Sequence, residues 1–183
     1  MKKNPFDRIE IVDGDITRER VAAIVNAANR TLLGGGGVDG AIHRAAGPEL
    51  RRFCETLGGC ETGDAKITPG FRLSAPFVIH AVGPVYRDGR HGEPEALASC
   101  YRRSLELAAE RGCAGIAFPA ISTGAYGYPF IEASRIAIRT TIRFLQAHPL
   151  PKTVRFVLFG ERDAAAFRKV LGNIRSEDAP KSE

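Results

Sequence analysis

Short apolar runs alternate along this chain with longer segments whose apolar residues recur at the helical period. Six runs have the length and composition of β-strands: 9–12, 22–25, 65–68, 77–82, 115–118 and 154–159. Helical segments are expected to begin near residues 38, 48, 94, 129 and 164. Strands that alternate with helices form a largely parallel sheet covered on both faces. We therefore expect an α/β fold, a three-layer α/β/α sandwich around a mixed, mostly parallel sheet of six or seven strands.

The composition is that of one globular domain. The 183 residues are 44% hydrophobic and 26% charged, and no apolar run approaches the ~18 residues that a membrane span needs. The N-terminus lacks the apolar segment of a signal peptide and the four cysteines form no CxxC pair, so we expect reduced thiols and a cytoplasmic location. We expect the domain to span residues 8–174, between a short extension at 1–7 and a polar, frayed tail at 175–183.

The net charge of +5 favours anionic ligands. Arg135, Arg139 and Arg143 recur every four residues and would form a stripe along one helix. This stripe is either a solvated helix face or a surface for RNA. Because the chain has no aromatic RNA-binding motif, nucleic acid is not the favoured partner.

Four consecutive glycines, at residues 34–37, precede the first predicted helix. A backbone without Cβ atoms can wrap closely around a phosphate, and the N-terminus of the helix supplies free N–H groups. Gly35, Gly37 and Gly40 fit the GxGxxG pattern, but no strand ends directly before them, so the match to a dinucleotide-binding fingerprint is weak. A plain flexible loop is the alternative.

A second loop, at residues 119–128, joins a predicted strand to a helix that Pro129 opens. This is another helix N-terminus able to hold an anion, although an ordinary strand-to-helix turn has the same pattern. Together the two loops could hold the two sides of one pyrophosphate.

Two further polar stretches follow predicted strands. Asp13 and Asp15 follow the first strand, where a carboxylate could accept a hydrogen bond from an adenine amino group or simply cap a turn. Asn26 and Asn29 follow the second strand, where their amides could bind ribose hydroxyls or form turns.

These stretches, in this order, resemble the macrodomain family, whose members bind ADP-ribose. The similarity is closest to the MacroD-type branch and extends from about residue 8 to residue 173; the matching segments are 14–17, 24–29, 34–43, 79–84 and 119–127. The resemblance implies a hydrolase that deacetylates O-acetyl-ADP-ribose and removes mono-ADP-ribose from aspartate or glutamate side chains of proteins. We expect no metal, no cofactor, no membrane partner and a monomeric state.

The resemblance also implies roles for individual residues. The adenine amino group would meet Asp15 and Ile16, the adenine ring would stack on Phe159, and the distal ribose would meet Asn29 and Asp39. The residues implied to bind ADP-ribose are Asp15, Ile16, Asn29, Gly36, Gly37, Val38, Asp39, Ser122, Thr123, Gly124, Ala125, Tyr126 and Phe159.

Four residues are implied to take part in catalysis: Asp39, Asn29, His43 and Tyr126. Asp39 falls in the first turn of its helix, where the helix dipole favours a low pKa; as a carboxylate it could polarise a water molecule, a task that the substrate's own phosphate could share. His43 lies on the same helix face and could act in the chemistry or pack beneath the glycine loop.

His80, inside an apolar strand, is expected to be a hydrogen-bonded core histidine. The alternatives to a hydrolase are a non-catalytic reader of ADP-ribose and an RNA-associated regulator.

Overall fold

The computed structural model describes residues 4–180 and has a six-stranded sheet at its centre. The strands are Ile9–Asp13 (β1), Ala23–Ala28 (β2), Ala65–Pro69 (β3), Phe77–Val82 (β4), Gly115–Phe118 (β5) and Thr153–Leu158 (β6). Their order across the sheet is β1-β6-β5-β2-β4-β3, and every neighbouring pair is parallel except β3 with β4. The expected mixed, mostly parallel sheet is confirmed, with six strands.

Helices cover both faces of this sheet. They are Gly37–Ala46 (α1), Pro48–Glu55 (α2), Glu93–Glu110 (α3), Phe130–Ala147 (α4) and Glu161–Glu177 (α5). The short 3-10 helices Pro5–Arg8 and Ile16–Arg18 are additions that the sequence pattern does not predict. Within residues 4–180, no helix is long and apolar enough to cross a membrane.

Successive side chains of each strand point to opposite faces of the sheet and supply two separate cores. In β2, Ile24 belongs to the core beneath α1 and α2, together with Ile42 and Leu50. Its neighbour Val25 belongs to the core beneath α3, α4 and α5, together with Leu97. These two cores confirm the three-layer sandwich.

Three aromatic rings pack against one another in the core beneath α3, α4 and α5. Tyr101 of α3 lies 5.0 Å from Phe118 of β5, which lies 5.8 Å from Phe156 of β6, between ring centroids. The hydroxyl of the buried Tyr101 donates to the Pro119 carbonyl at 3.3 Å and accepts from the Ile121 N–H at 3.1 Å. Tyr101 therefore fixes the first residues of the loop that follows β5.

The end of α5 corrects one prediction. The helix continues to Glu177, so the fraying expected from Arg175 onward is wrong for this last helical turn. Arg175 pairs with Asp7 at 2.7 Å, and Glu177 pairs with Arg135 and Arg139 at 2.6 Å each. Two arginines of the predicted stripe thus contact carboxylates of their own chain, which favours a solvated helix face over a surface for RNA.

We expect that deleting residues 175–183 lowers the melting temperature by about 2–4 °C, because several ion pairs worth a few tenths of a kcal/mol each are lost together. The control is deletion of residues 179–183, which keeps Arg175, Glu177 and Asp178. Thermal unfolding followed by circular dichroism measures both. Equal melting temperatures for the two truncated proteins would mean that the helix end contributes nothing to stability.

Candidate functional site

Five parallel strands end at one edge of the sheet, and the loops that follow them carry the predicted site. This edge is where ligands bind in open α/β sheets. Residues after β1, β2, β5 and β6, together with α1, include every residue that the resemblance implies for binding or catalysis.

The glycine loop after β2 presents open backbone to solvent. α1 begins at Gly37, one residue earlier than predicted, and its cap residue Gly36 forms no side-chain cap. Among residues 4–180, the N–H groups of Gly36, Gly37 and Val38 have no acceptor. A Cβ atom added at Gly36 or Gly37 would meet no atom within 4 Å. The loop thus offers donors beside empty space, as an anion site requires.

Beneath this surface, the loop is tightly packed. A Cβ atom on Gly40 would lie 2.5 Å from the Gly35 carbonyl oxygen, so only glycine at this position lets α1 approach the loop so closely. Gly34 and Gly37 have φ angles of +95° and +56°, which glycine adopts without steric cost. The loop has a defined shape, which does not fit the alternative of a plain flexible loop.

The loop after β5 has the same character. Thr123 Oγ1 donates to the Ala120 carbonyl at 2.8 Å, and Tyr128 N donates to the Ser122 carbonyl at 2.9 Å. Among residues 4–180, the N–H groups of Gly124, Ala125 and Tyr126 have no acceptor. Consecutive free N–H groups of this kind form anion-binding concavities.

The segment after β4 supports that loop, and the sequence did not predict this role. A Cβ atom on Gly83 would lie 2.2 Å from Ser122 Oγ, so the two segments touch closely. Tyr86 donates its N–H to the Tyr126 carbonyl at 2.9 Å, and its ring lies 4.8 Å from that of Tyr128. The only sequence signal was the pair Gly83-Pro84 directly after a strand.

Glu93 fixes the remainder of that segment. Its buried carboxylate accepts the backbone N–H groups of residues 87, 88, 89 and 91. Burial acts to raise its pKa, but these donors hold the pKa of Glu93 at about 2. Glu93, Asp88 and His91 lie close enough together to suggest a metal site, yet their carboxylates already accept hydrogen bonds within the segment.

The predicted adenine end lies where β1 and β6 run side by side. Phe159 is 89% exposed, which is unusual for an aromatic side chain and leaves its ring face free. Asp13 Oδ1 accepts the Gly160 N–H at 2.9 Å and so ties the Phe159 segment to β1. Asp15 caps a 3-10 helix with Oδ1, and its hydrogen bonds to Thr17 lower its pKa.

The predicted ribose end centres on Gly35. A Cβ atom on Gly35 would lie 3.1 Å from Asp39 Oδ2 and 3.5 Å from Asn29 Nδ2, so these two side chains flank the same residue. Asn29 also shapes the loop, because Nδ2 donates to the Gly34 carbonyl at 3.0 Å and Oδ1 accepts from the Thr31 N–H and hydroxyl.

Asn26 is not part of this loop, which corrects the prediction. β2 continues to Ala28, so Asn26 lies inside the strand and is fully buried beneath α1. The sequence contained the signal: one amide interrupts an otherwise apolar run. Only Asn29 follows the strand.

The ionisation of Asp39 also differs from the prediction. Its side chain is 5% exposed and accepts a hydrogen bond from Asn26 Nδ2 at 2.8 Å. Burial raises the pKa of Asp39, although the Asn26 bond and nearby His43 act to lower it. The predicted low pKa is wrong, because desolvation of the buried carboxyl group outweighs the interactions that lower its pKa. A carboxylate with a raised pKa is a stronger base.

His43 packs beneath the glycine loop. A Cβ atom on Gly34 would lie 3.6 Å from the His43 ring, and His43 Nε2 lies 3.4 Å from Asp39 Oδ1. Burial lowers the pKa of His43, which favours the neutral ring. The structure therefore brings His43 to the predicted site, behind the Asp39 carboxylate.

His43, Cys54 and His80 carry nitrogen and sulfur atoms within 4.8 Å of one another, a spacing that could suit a metal ion. His80 is already hydrogen-bonded at both ring nitrogens, to Asn26 at 3.2 Å and to Thr68 at 3.0 Å. Burial lowers the pKa of His80 to about 3 and raises the pKa of the Cys54 thiol to about 11. His80 is thus a buried, hydrogen-bonded histidine, as expected, and Cys54 Sγ lies 3.8 Å from its Nε2.

Comparison with known proteins identifies a matching family and close relatives of this chain. The Macro domain family matches residues 25–137. A Macro domain-containing protein of Methanosarcina mazei is 57% identical over 169 residues, covering 92% of this chain and 90% of the relative. An O-acetyl-ADP-ribose deacetylase of Salmonella newport is 52% identical over 168 residues, covering 90% of this chain and 94% of the relative.

The solved structures agree. The macrodomain of Oceanobacillus iheyensis with ADP has a TM-score of 0.91 at 47% identity, and the match covers 97% of both chains. A mutant of that protein has been solved with ADPR. The sheet order, the glycine loop and these similarities lead to one conclusion: this chain belongs to the macrodomain family.

Proposed function

We propose that this macrodomain binds ADP-ribose along the carboxyl edge of its sheet and hydrolyses esters of its distal ribose. The single observation that carries this proposal is the arrangement around Gly35, where Asp39 Oδ2 and Asn29 Nδ2 flank a loop with free N–H groups. The loop suits a phosphate, and the two side chains suit the sugar attached to it.

The ligand would extend across four loops. Its adenine would stack on the exposed ring of Phe159, with the Asp15 segment receiving the amino group. One phosphate would accept N–H groups of the glycine loop and the other those of residues 124–126. The distal ribose would then lie beside Asn29 and Asp39. The curated relative named O-acetyl-ADP-ribose deacetylase and the macrodomain solved with ADPR support this ligand class.

Ester hydrolysis needs a water molecule directed at the carbonyl carbon and a base to take its proton. Asp39 fits the role of base, since burial raises its pKa and Oδ2 faces Gly35. The bond between the carbonyl carbon and the ribose oxygen breaks, and the proton held by Asp39 can pass to that oxygen as it leaves. The second hydrogen of Asn29 Nδ2, beside Gly35, can stabilise the negative charge that develops.

The substrate class includes O-acetyl-ADP-ribose and mono-ADP-ribose esterified to aspartate or glutamate of proteins. Both contain an acyl ester of the same ribose, and the same attack on the carbonyl carbon would cleave either. No side chain of the proposed mechanism distinguishes the two acyl groups. We propose that the protein catalyses both reactions and that it is located in the cytoplasm.

The direct test incubates the protein with O-acetyl-ADP-ribose and, separately, with a glutamate-linked ADP-ribosylated protein. Product masses in H2¹⁸O should show the label in acetate or in the glutamate carboxylate, because water attacks the carbonyl carbon. In the Asp39→Ala variant, turnover should fall about 10²–10⁴-fold while the Kd for ADP-ribose stays within about tenfold.

The matched control for Asp39→Ala is Glu110→Ala, which removes an exposed carboxylate at the end of α3. If turnover and affinity of Asp39→Ala decline in parallel, Asp39 is a binding residue alone. Absence of both products with the wild-type protein, despite ADP-ribose binding, would instead favour a non-catalytic reader.

The contact proposed between the glycine loop and a phosphate can be tested by replacing Gly37 with valine. The side chain would enter the open space beside the free N–H groups, so we expect the Kd for ADP-ribose to rise at least about tenfold. Gly112→Val is the control, since Gly112 has a similar φ of +67° in open space at the end of α3. Calorimetry measures both; an unchanged Kd for Gly37→Val would contradict the phosphate assignment.

The raised pKa of Asp39 predicts a cost to folding at neutral pH. Because the folded state holds the Asp39 proton more tightly than the unfolded state, ionisation destabilises the fold as the pH rises above the unfolded pKa. We expect Asp39→Asn to raise the melting temperature by about 2–4 °C at pH 8 and by less at pH 4. Asp15→Asn should show the opposite sign, because folding lowers the pKa of Asp15. A lower melting temperature for Asp39→Asn at pH 8 would refute this interpretation.

A further inference from the structure

Behind Asp39, a line of buried polar side chains runs across three strands. Asn26 of β2 and His80 of β4 are partners in the parallel register, so their side chains share one face of the sheet. Thr68 of β3 follows beyond His80 and is 2% exposed. The Asn26 amide contacts Asp39 Oδ1 at 2.8 Å and His80 Nδ1 at 3.2 Å, and His80 Nε2 contacts Thr68 Oγ1 at 3.0 Å.

The donors in this line can be assigned from its inner end. An ionised Asp39 can only accept, so Asn26 Nδ2 donates one hydrogen to Oδ1 at 2.8 Å. Its second hydrogen serves the 3.2 Å contact with His80 Nδ1, which then accepts and leaves the ring proton on Nε2. His80 Nε2 donates to Thr68 Oγ1 at 3.0 Å, and Cys54 Sγ lies 3.8 Å from the same nitrogen. The Asn26 amide is thus held with Nδ2 toward Asp39.

Rotation of the amide is the alternative that this line excludes. A rotated Asn26 would place Oδ1 against the Asp39 carboxylate, where two acceptors repel each other. It would also face His80 Nδ1, which has no hydrogen in the assigned tautomer. Among residues 4–180, Oδ1 in its present position has no partner and is buried, so the two bonds of Nδ2 decide the orientation.

We propose that Asn26, held in orientation by His80 and Thr68, is a positioning residue that binds Asp39 Oδ1 and leaves Oδ2 free beside Gly35 for the reaction. This inference rests on the proposed function, in which Asp39 is the catalytic base. Asn26 is fully buried and acts on the substrate only through Asp39.

The other charged and titratable groups near Asp39 do not mask the effect of the Asn26 hydrogen bond on the pKa of Asp39. His43 on α1 lies 3.4 Å from Asp39 Oδ1, the Asp39 charge acts on Cys54 of α2, and Arg51 of α2 acts on His43. His80 on β4 faces Asn26 and the His43 ring. Burial favours the neutral forms of the two histidines and of the thiol. The Asn26 hydrogen bond is therefore the main local interaction that opposes the burial of the Asp39 charge.

Thr68→Val tests the line without touching Asn26 or Asp39. Valine preserves the shape of threonine and removes the acceptor for His80 Nε2, so the proton can move to Nδ1 and the Asn26 amide can rotate. Asp39 then loses its donor. We expect the acidic limb of the pH profile of kcat, and the ¹³C NMR titration of the Asp39 carboxyl, to move up by about one pH unit. Thr68→Ser, which keeps the hydroxyl, should restore both midpoints.

Asn26→Asp provides a second variant of nearly unchanged shape. It replaces the amide donor with a carboxyl group, and the two acids then share a proton, which should move the Asp39 titration above that of the wild type by more than about one pH unit. An unchanged Asp39 titration in Asn26→Asp would contradict the contact. Comparison with the spectrum of Asp39→Asn identifies the Asp39 carboxyl signal. Asn26→Asp carries the test if Thr68→Val does not fold.

Two results would overturn the inference. The first is an Asp39 titration in Thr68→Val that matches wild type; if the melting temperature also falls, the line is structural only. The second is an equal shift in Thr68→Val and Thr68→Ser. The NMR titration needs no turnover. If wild-type protein fails to hydrolyse both esters, the proposed function is lost, while the titration still decides the role of Asn26.

Discussion

The rest of the site depends on one buried carboxylate, that of Asp39 in the first turn of α1. Asp39 lies between the glycine loop above it and the polar line across β2, β4 and β3 behind it. A buried charge is costly unless hydrogen bonds offset the lost hydration. Asn26 supplies one such bond to Oδ1. The other oxygen faces Gly35 and Asn29, so the carboxylate is anchored on one side and available on the other.

This arrangement requires close approach of backbone segments, and that requirement explains where glycine is indispensable. Gly40 lets α1 pack against the Gly35 carbonyl, and Gly83 lets the end of β4 touch Ser122. A methyl group at either position would meet an atom at 2.5 Å or less. At Gly36 and Gly37 the reason differs, because a side chain there would meet open space. Two glycines thus serve the packing of the protein, and two leave room for a ligand.

The sequence predicted the elements of the fold well, because periodicity and the positions of proline and glycine are local properties. It placed the end of β2 three residues early, and that error moved Asn26 from the core to a loop. The pKa of Asp39 was predicted in the wrong direction. The sequence shows that Asp39 lies at a helix N-terminus, where the dipole lowers a pKa, but it does not show that distant strands bury the carboxyl group. The turn at Arg175 was predicted to fray for the same reason: its stabilising partner Asp7 lies at the other end of the chain.

The two proposed phosphate loops belong to different layers of the sandwich. The glycine loop continues into α1, whose apolar face fills the core beneath α1 and α2. The loop after β5 is held by Tyr101 of α3, whose ring lies in the opposite core, and by the segment that Glu93 folds. A diphosphate that accepts hydrogen bonds from both loops would therefore connect both layers at the edge of the sheet. Because each loop is fixed by its own core, binding would need little ordering of the backbone, and more of the interaction energy would remain to hold the distal ribose beside Asp39.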